Sequence, residues 1–281
     1  MSVQIIIDST ADLPDRLRGA FPTVPLTVRF GEEEFVDGVT IDRQTFYERL
    51  VESDVLPTTS QATPADFLPF YENVKRAGDS AVVLTIASAL SGTYQSACLA
   101  AQDYDNIYVV DSQTAAIGTG ILAEYALLCA RQGMDAPSLT ARLEEKRQDV
   151  CLIALLDTLE YLKRGGRISK AAAMAGSLLN IKPVVTVQDG EVLVVGKARG
   201  SRNGNNLLVE KINQSGGVDF SLPVLLGYTG LNSALLDKYV EDSRGLWAEE
   251  LDSIPKTLLC SIIGTHVGPG AVAVAFFRKD G

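Results

Sequence analysis

The stretch AVVLTIASALSGTYQSACLAAQ, residues 81–102 of the 281-residue chain, decides how the sequence is interpreted. Ala81 to Ile86 is a continuous apolar run rich in β-branched residues, which is typical of a buried parallel strand. Ser88 to Thr93 follow as a hydroxyl-rich turn, and Tyr94 to Gln102 have a helical pattern. The stretch therefore predicts a strand, a polar turn and a helix in immediate succession.

The same order of strand and polar turn occurs twice more in the first half of the chain. Val3 to Ile7 precede Asp8-Ser9-Thr10, and Ile107 to Val110 precede Asp111-Ser112-Gln113 and a predicted helix over Thr114 to Arg131. Strands that alternate with helices predict an open α/β sheet. Ligands of such sheets bind beyond the carboxyl ends of the strands, so we expect the three turns to share that edge.

The second half of the chain predicts another α/β unit. Val184 to Gln188 and Glu191 to Val195 flank Asp189-Gly190, and an Asp-Gly pair between β-branched runs indicates a hairpin. Further predicted elements are strands over Val224 to Tyr228, Leu258 to Ile263 and Ala271 to Phe277, and helices over Ser138 to Gln148 and Lys170 to Leu179. We expect two α/β domains, residues 1–149 and 150–281, with the ligand site between them.

Composition and charge exclude several classes of function. The formal net charge of −10 disfavours nucleic acid and anionic membranes as partners. No window approaches the roughly 20 apolar residues of a membrane helix, and the N-terminus lacks the basic region of an export signal. The four cysteines lie far apart without zinc or redox spacing, which favours reduced thiols in a cytoplasmic protein. We expect no metal, no cofactor and a monomer when free.

The turn Ser91-Gly92-Thr93 is a candidate anion site. Free backbone N–H groups at the start of a helix attract anions, and Gly92 allows a ligand to approach the backbone. Ser91 adds a hydroxyl donor. Simple capping of the helix by serine or threonine is the alternative explanation.

A second polar run, Thr58-Thr59-Ser60-Gln61, lies just before a predicted helix that starts at Pro64 with Thr63 as its cap. Its three hydroxyls and one amide are candidates for ligand binding, and a solvated loop is the alternative.

Two further features carry candidate groups. His266 is the sole histidine and lies in GTHVGPG, where we expect a tight loop after a strand. Lys163-Arg164-Gly165-Gly166-Arg167 is a basic cluster on an acidic chain, and Arg167 is the best candidate for an anion or an acidic partner because its guanidinium is a planar fork. A structural histidine and a solvated turn are the respective alternatives. The sequence has neither a Gly-x-Ser-x-Gly nucleophile elbow nor a phosphate-binding loop.

Seven segments together resemble the DegV family of bacterial fatty-acid-binding proteins. They follow the family order across nearly the whole chain: IIIDSTADLP, TSQATPADF, LTIASALSGTYQSA, VVDSQTAAIGTGIL, LEYLKRGGRIS, NIKPVV and GTHVGPGAVAVAF. A small departure is Ala87, where many members have a second serine.

The resemblance implies a carrier rather than an enzyme. It implies a long acyl chain buried between or within two α/β domains, with its carboxyl group on the hydroxyls of Thr59 and Ser91. It also implies delivery to a separate ATP-dependent fatty acid kinase, which makes acyl phosphate for phospholipid synthesis. Further expected ligand-binding residues are Ser60, Gln61, Gly92, Thr93, Thr265 and His266. Expected kinase contacts are Arg167, Arg164 and Lys163.

Three other functions remain open at this point, one of which is phosphate or sugar binding at the SGT turn. A serine hydrolase would use Ser91 as nucleophile and His266 as base. A regulatory or docking protein would keep only a vestigial pocket. The sequence does not fix which of the apolar residues Leu155, Leu156, Leu178 and Leu179 line an acyl tunnel, and packing in the core is the simpler role for them.

Overall fold

The computed structural model describes residues 2–168, 180–247 and 254–279. The helix predicted over Lys170 to Leu179, with Leu178 and Leu179, lies outside the described residues.

The first half of the chain is built on a parallel sheet of four strands, counted over the described residues. The strand order is β2-β1-β6-β7, with β1 Val3–Asp8, β2 Thr23–Val24, β6 Ser80–Thr85 and β7 Ile107–Asp111. Helices in this half are α1 Arg43–Glu52, α2 Pro64–Ala77, α3 Thr93–Ala101, α4 Ala116–Arg131 and α5 Ala136–Lys146, with 3-10 turns at Asp15–Leu17 and Arg147–Asp149. Since β1, β6 and β7 are parallel, the three polar turns lie at one edge of this sheet, as predicted.

A small antiparallel sheet beside this unit holds one of the candidate runs. Its order is β4-β3-β5, with β3 Thr27–Phe30, β4 Glu33–Val36 and β5 Thr58–Ser60. Thr59 pairs with Val28 of β3. A solvated loop was the alternative considered for this run, but the ladder with β3 makes Thr58–Ser60 an edge strand. Thr59 is therefore fixed by backbone hydrogen bonds.

The second half contains a mixed sheet with six strands in the part of the chain that is described. Its order is β10-β9-β8-β13-β11-β12, with β8 Val150–Leu155, β9 Ile181–Gln188, β10 Glu191–Arg199, β11 Leu225–Tyr228, β12 Lys256–Leu258 and β13 Val272–Phe277. Helices here are α6 Glu160–Arg164, α7 Ser201–Gln214, α8 Ala234–Asp242, α9 Arg244–Trp247 and α10 Ser261–Val267. The predicted hairpin is confirmed, because β9 and β10 pair on either side of Asp189-Gly190.

The strand predicted over Leu258 to Ile263 is wrong. The strand β12 ends at Leu258, and α10 begins three residues later at Ser261. The backbone N–H of Cys260 donates to Asp12, 2.9 Å away, and that of Ser261 donates to Asp37, 3.2 Å away. These two carboxylates from the first half satisfy donors at the helix start, which local β propensity does not anticipate.

This correction moves His266 from the predicted loop to the last turn of α10. The Gly268-Pro269-Gly270 turn follows, and Gly268 has a positive φ of 73°. The basic segment begins in a helix as well, because residues 160–164 form α6 before the turn at Gly165.

Candidate ligand-binding site

A cavity lies between the carboxyl edge of the first sheet and one face of the second. Its empty space, open mouth included, is about 930 Å³. Apolar side chains dominate its wall: Leu26, Ile86, Leu90, Ala115, Ala116, Leu152, Ala154, Leu156, Leu162, Val185, Val187, Val192, Leu259, Ile262, Ile263, Val267, Ala271 and Ala273. Both halves of the chain contribute to the wall, as expected for a site between two units.

Polar groups line the same cavity from four of the predicted segments. These residues are Thr59, Ser60, Gln61, Ser91, Arg167 and His266. The hydroxyl of Thr59 and Nε2 of His266 lie 2.9 Å apart and share a hydrogen bond. The fold thus brings together the TSQ run, the SGT turn, the basic segment and the sole histidine.

Ser91 combines the two roles considered for it. Its hydroxyl lies 2.9 Å from that of Thr93 and accepts from the Thr93 backbone N–H at 3.3 Å, so it satisfies one backbone donor at the start of α3, whose N-cap residue is Gly92. It also lines the cavity. Thr93 is fully buried behind it and is not part of the cavity wall.

Gly92 joins the two polar segments by close packing. A Cβ at Gly92 would lie 2.1 Å from Oε1 of Gln61. The Gln61 amide in turn donates to the hydroxyl of Ser96, 3.1 Å away on α3. Only glycine leaves room for Gln61 here, so Gly92 positions the TSQ run without lining the cavity itself.

The turns that begin at Asp8 and Asp111 hold the segment before the SGT turn in place. Oδ2 of Asp8 accepts from the backbone N–H of Ile86 at 2.8 Å, and Oδ1 of Asp111 accepts from that of Ser88 at 3.1 Å. Both carboxylates therefore hold the chain between β6 and α3. Their turns lie at the predicted edge, but their polar residues do not line the cavity.

His266 is a neutral imidazole in this setting. Burial lowers its pKa to about 4, and the positive charge of Arg167 acts in the same direction. Its Nδ1 is buried with no hydrogen-bond partner among the described residues. A Cβ at Gly165 would lie 2.2 Å from that Nδ1, so the basic segment can pack against the ring only through a glycine.

Arg167 points inward, whereas the other two cations of its segment face solvent. Its Nε donates to the Leu90 carbonyl at 3.1 Å, and Nη1 donates to the Gly165 carbonyl at 2.6 Å. Arg164 and Lys163 are exposed and pair with Glu160 at 2.8 and 3.8 Å. The guanidinium of Arg167 therefore belongs to the cavity, next to the residue that precedes Ser91.

One further predicted site residue, Thr265, lies away from the cavity, and the two leucines Leu155 and Leu156 have different positions. Thr265 is buried, and its hydroxyl donates to the Ser261 carbonyl at 2.8 Å, within α10 and away from the cavity wall. Leu155 packs against α7 at Gly204, whereas Leu156 lines the cavity. Side chains that alternate across a strand explain why neighbouring leucines have different roles.

A buried ionic cluster that the sequence analysis missed holds α10 in place. Oδ1 of Asp12 accepts from Arg43 at 3.0 Å as well as from Cys260, and Oδ1 of Asp37 accepts from the Ser261 hydroxyl at 2.6 Å. Burial raises the pKa of Asp12 to about 7, although the charge of Arg43 acts against that. Asp12 in DSTADLP could have pointed to this cluster, but Cys260, from whose backbone N–H it accepts, lies 248 residues away in the sequence.

The arrangement suits a long apolar ligand with one polar head. Hydroxyls, an imidazole and a guanidinium can bind an anionic group, while the remaining wall shields apolar surface from water. The hydrogen bond of the His266 ring is to Thr59, and the Ser91 hydroxyl bonds Thr93. The nucleophile–base contact of a serine hydrolase is therefore not formed between them.

Metal sites and membrane spans are two further features that bear on function. Within residues 2–168, 180–247 and 254–279, no group of three or more His, Cys, Asp or Glu side chains is arranged to hold a metal ion. The helices in those ranges are also too short or too polar to span a membrane.

Comparison with known proteins identifies the relatives of this chain. A family model described as "Uncharacterised protein, DegV family" matches residues 2–279. A DegV domain-containing protein of Caldanaerobacter subterraneus subsp. tengcongensis is 32% identical over 285 residues, which cover 99% of each chain.

Solved structures extend the similarity to the fold. One, described as fatty acid binding of a DegV family protein from Thermus thermophilus, has a TM-score of 0.87 and 31% identity over 99% of this chain and 100% of that one. Another, described as a stearic-acid-binding protein from Eubacterium ventriosum, has a TM-score of 0.85 and 26% identity over 99% of both chains.

Proposed function

The chain belongs to the DegV family, and we propose that it binds one long-chain fatty acid in the cavity and presents the carboxyl group to a separate ATP-dependent fatty acid kinase. The product would be acyl phosphate for phospholipid synthesis. In this proposal the chain is a carrier subunit in the cytoplasm, monomeric when free, and it does no chemistry of its own. Residues 1–149 and 150–281 would be its two domains.

One observation carries the binding proposal: polar residues, among them Thr59, Ser91, Arg167 and His266, line a cavity whose wall is mostly apolar. Burial of about 14 methylenes contributes roughly 11 kcal/mol before costs, at about 0.8 kcal/mol for each. Association and ordering offset much of that gain. The remainder is compatible with micromolar to nanomolar affinity. Fatty acid binding by relatives with the same fold supports this ligand class.

The head group would be held mainly by neutral donors. Thr59 and Ser91 supply hydroxyls, and His266 stays neutral because its pKa is about 4. Two N–H groups of Arg167 donate to the carbonyls of Leu90 and Gly165, and its positive charge lies at the rim of the cavity. A carboxylate held in this way is not locked in a strong ion pair, so a kinase would not have to break one.

The kinase is proposed to dock over the basic segment. Lys163 and Arg164 are exposed there, and their only acidic partner recorded in the described residues is the exposed Glu160. Arg167 would contact the kinase from the rim of the cavity. Exposed ion pairs are weak, so a partner with acidic groups could replace Glu160 at little cost.

Native mass spectrometry of the purified protein tests the binding proposal first. We expect one additional mass equal to that of a fatty acid, released on unfolding and identified by lipid analysis. A bare protein that also fails to bind added fatty acids would contradict the proposal. Delivery is tested separately, by incubating the loaded protein with a bacterial fatty acid kinase and ATP and measuring acyl phosphate.

A further inference from the structure

The helix that carries His266 is a poor helix former by its own sequence. The segment α10 reads SIIGTHV, and four of its seven residues are β-branched. β-Branched residues and glycine are unfavourable in a helix. The N-cap residue of α10 is Cys260, whose thiol is only a weak hydrogen-bond acceptor. This helix therefore depends on stabilising contacts with other parts of the chain.

Two carboxylates from the first half of the chain supply acceptors at the start of α10. Oδ1 of Asp12 accepts from the Cys260 backbone N–H at 2.9 Å. Oδ1 of Asp37 accepts from the backbone N–H of Ser261 at 3.2 Å and from its hydroxyl at 2.6 Å. Both carboxylates are buried, so water competes little for these bonds. The start of α10 is thus held by side chains that lie far away in the sequence.

Arg43 of α1 joins this start to the strand before it. Its Nη2 lies 3.0 Å from Oδ1 of Asp12, and its Nη1 donates to the Thr257 hydroxyl at 3.1 Å and to the Leu258 carbonyl. The guanidinium therefore bridges the Asp12 turn and the end of β12, from which the chain leads into α10. A planar fork with several donors suits such a bridge, whereas a lysine ammonium lacks this geometry.

The same helix α1 also contacts the middle of α10. A Cβ at Gly264 would lie 2.5 Å from the hydroxyl oxygen of Tyr47 and 2.6 Å from Cε1 of Phe46. Residues three and four positions apart lie on the same side of a helix, so Phe46 and Tyr47 share one face of α1 with Arg43. That face therefore fixes α10 both at its start and at its midpoint.

The position of the His266 ring follows from that of α10, because the ring lies in its last turn. Cys260 and His266 are six residues apart, or about 9 Å along a helix at 1.5 Å per residue. From there the ring reaches the Thr59 hydroxyl at 2.9 Å and packs against Gly165. A helix of about two turns is marginal without outside contacts, so release of its start would displace the ring as well.

From these contacts we propose that Arg43 and Asp12 are positioning residues of the head-group site, which hold α10 so that the His266 ring faces the carboxyl group of the ligand. The inference rests on the proposed binding of fatty acids at Thr59 and Ser91. Neither Arg43 nor Asp12 is among the described residues that line the cavity, so their effect on binding passes through His266. Fatty acid affinity should therefore respond to a residue of α1 that the ligand does not touch.

The test replaces Arg43 by methionine and first measures the affinity for hexadecanoic acid by calorimetry, using delipidated protein. Binding should weaken about tenfold, as for the loss of one head-group hydrogen bond. The matched control is Arg49→Met on the same helix, because Arg49 pairs with Glu33 of β4 rather than with Asp12. The control variant should bind as the unmodified protein does.

The second measurement is the NMR titration of the single imidazole, which needs no ligand. Its midpoint is expected at about 4 in the unmodified protein and should move towards 6.5 in Arg43→Met, because a displaced ring is exposed to water. Val240→Ala controls for lost stability alone, since Val240 lies in the hydrophobic cluster of the second sheet that does not include α10. That variant should leave the midpoint unchanged.

Asp12→Asn provides the same test if Arg43→Met does not fold. It removes the charge beside Arg43 with almost no change of shape, and both measurements should shift in the same direction. Unchanged affinity, or a midpoint that stays near 4, in whichever variant folds would overturn the positioning role. Failure of the unmodified protein to bind any fatty acid would instead contradict the proposed function, and the titration would still report whether Arg43 and Asp12 hold the ring in place.

Discussion

Thr59 and His266 share a 2.9 Å hydrogen bond although 207 residues separate them in the chain. Thr59 is held by the β3–β5 ladder of the first half, and His266 by α10 of the second. The bond can therefore form only when the two halves are correctly assembled around the cavity.

Replacing Thr59 by valine should weaken fatty acid binding about tenfold. The substitution keeps the shape of the side chain but removes one hydroxyl, and a hydrogen bond to a charged group contributes about 1.5–3 kcal/mol. Calorimetry with hexadecanoic acid measures the loss. The matched control is Thr58→Val, one residue earlier on the same strand and exposed. Equal affinities for both variants would remove Thr59 from the head-group site.

Replacing Ser91 by alanine should reduce acyl phosphate formation by about tenfold or more when a fatty acid kinase is supplied. The hydroxyl both lines the cavity and accepts from the Thr93 backbone N–H, so its loss weakens head-group binding and leaves one donor at the start of α3 without this acceptor. Ser88→Ala, in the same turn, serves as the control. Unchanged phosphoryl transfer in Ser91→Ala would contradict the proposed role.

His266 should stay neutral well below its ordinary pKa of 6.5, because burial lowers its pKa. With a pKa of about 4 in the fold and 6.5 in the unfolded chain, the unfolded state takes up more protons between those values. This group therefore makes the free energy of unfolding fall by about 2 kcal/mol as the pH drops from 7 to 5. The Asp8, Asp12 and Asp37 carboxyls, whose pKa values are raised by burial, act in the opposite direction.

Comparison with His266→Gln isolates that effect, because the variant keeps all three carboxyls. The unmodified protein should lose about 2 kcal/mol more than the variant over this pH range, measured by urea unfolding. NMR gives an independent value, since the chain has a single imidazole. A titration midpoint near 6.5 in the folded protein would contradict a buried neutral ring.

Replacing Ala154 by leucine should abolish fatty acid binding without destabilising the fold. Ala154 pairs with Ala273 across β8 and β13, and both residues line the cavity, so a larger side chain has empty space to occupy. The control is Ala275→Leu, in the fully buried core of β13, where overpacking costs about 1–3 kcal/mol. Similar losses of stability in both variants would mean that the space at Ala154 is already filled.

Replacing Gly92 by alanine should destabilise the protein and weaken ligand binding together. The new methyl group would overlap the Gln61 amide, which links the TSQ run to α3. Gly245→Ala provides a control where the added atom meets open space. In the Gly92→Ala background, Gln61→Ala should recover part of the stability, measured as the melting temperature, because it removes the overlapping group.

Local patterns predicted the parts of the fold that depend on neighbouring residues. The apolar runs of β1, β6 and β7 and the Asp189-Gly190 hairpin follow from strand and turn preferences alone. The start of α10 does not, because β-branched residues at Ile262 and Ile263 favour a strand. Carboxylates of Asp12 and Asp37 cap this helix from far away in sequence, and no local pattern reports such a contact.

The candidate site likewise contains residues that the sequence predicted and residues whose positions it did not predict. Thr59, Ser91 and His266 were identified by residue type together with the family resemblance, and they line one cavity. Thr265 was included for its hydroxyl, but α10 turns that group back onto the Ser261 carbonyl. Arg167 was expected to contact an anion or an acidic partner, and its guanidinium lines the cavity while it donates to the carbonyls of Leu90 and Gly165.

Because α10 lies near the end of the chain and packs on Asp12 and Asp37 near its start, the site is completed late in synthesis. The strands of the first sheet end at Asp111, and the ribosome must add more than a hundred further residues before His266 emerges. At about 5–20 residues per second, that interval is roughly 10–30 seconds. A nascent chain therefore has the residues of its parallel sheet well before it has an imidazole beside Thr59, and under the proposed function its loading with lipid would follow translation instead of accompanying it.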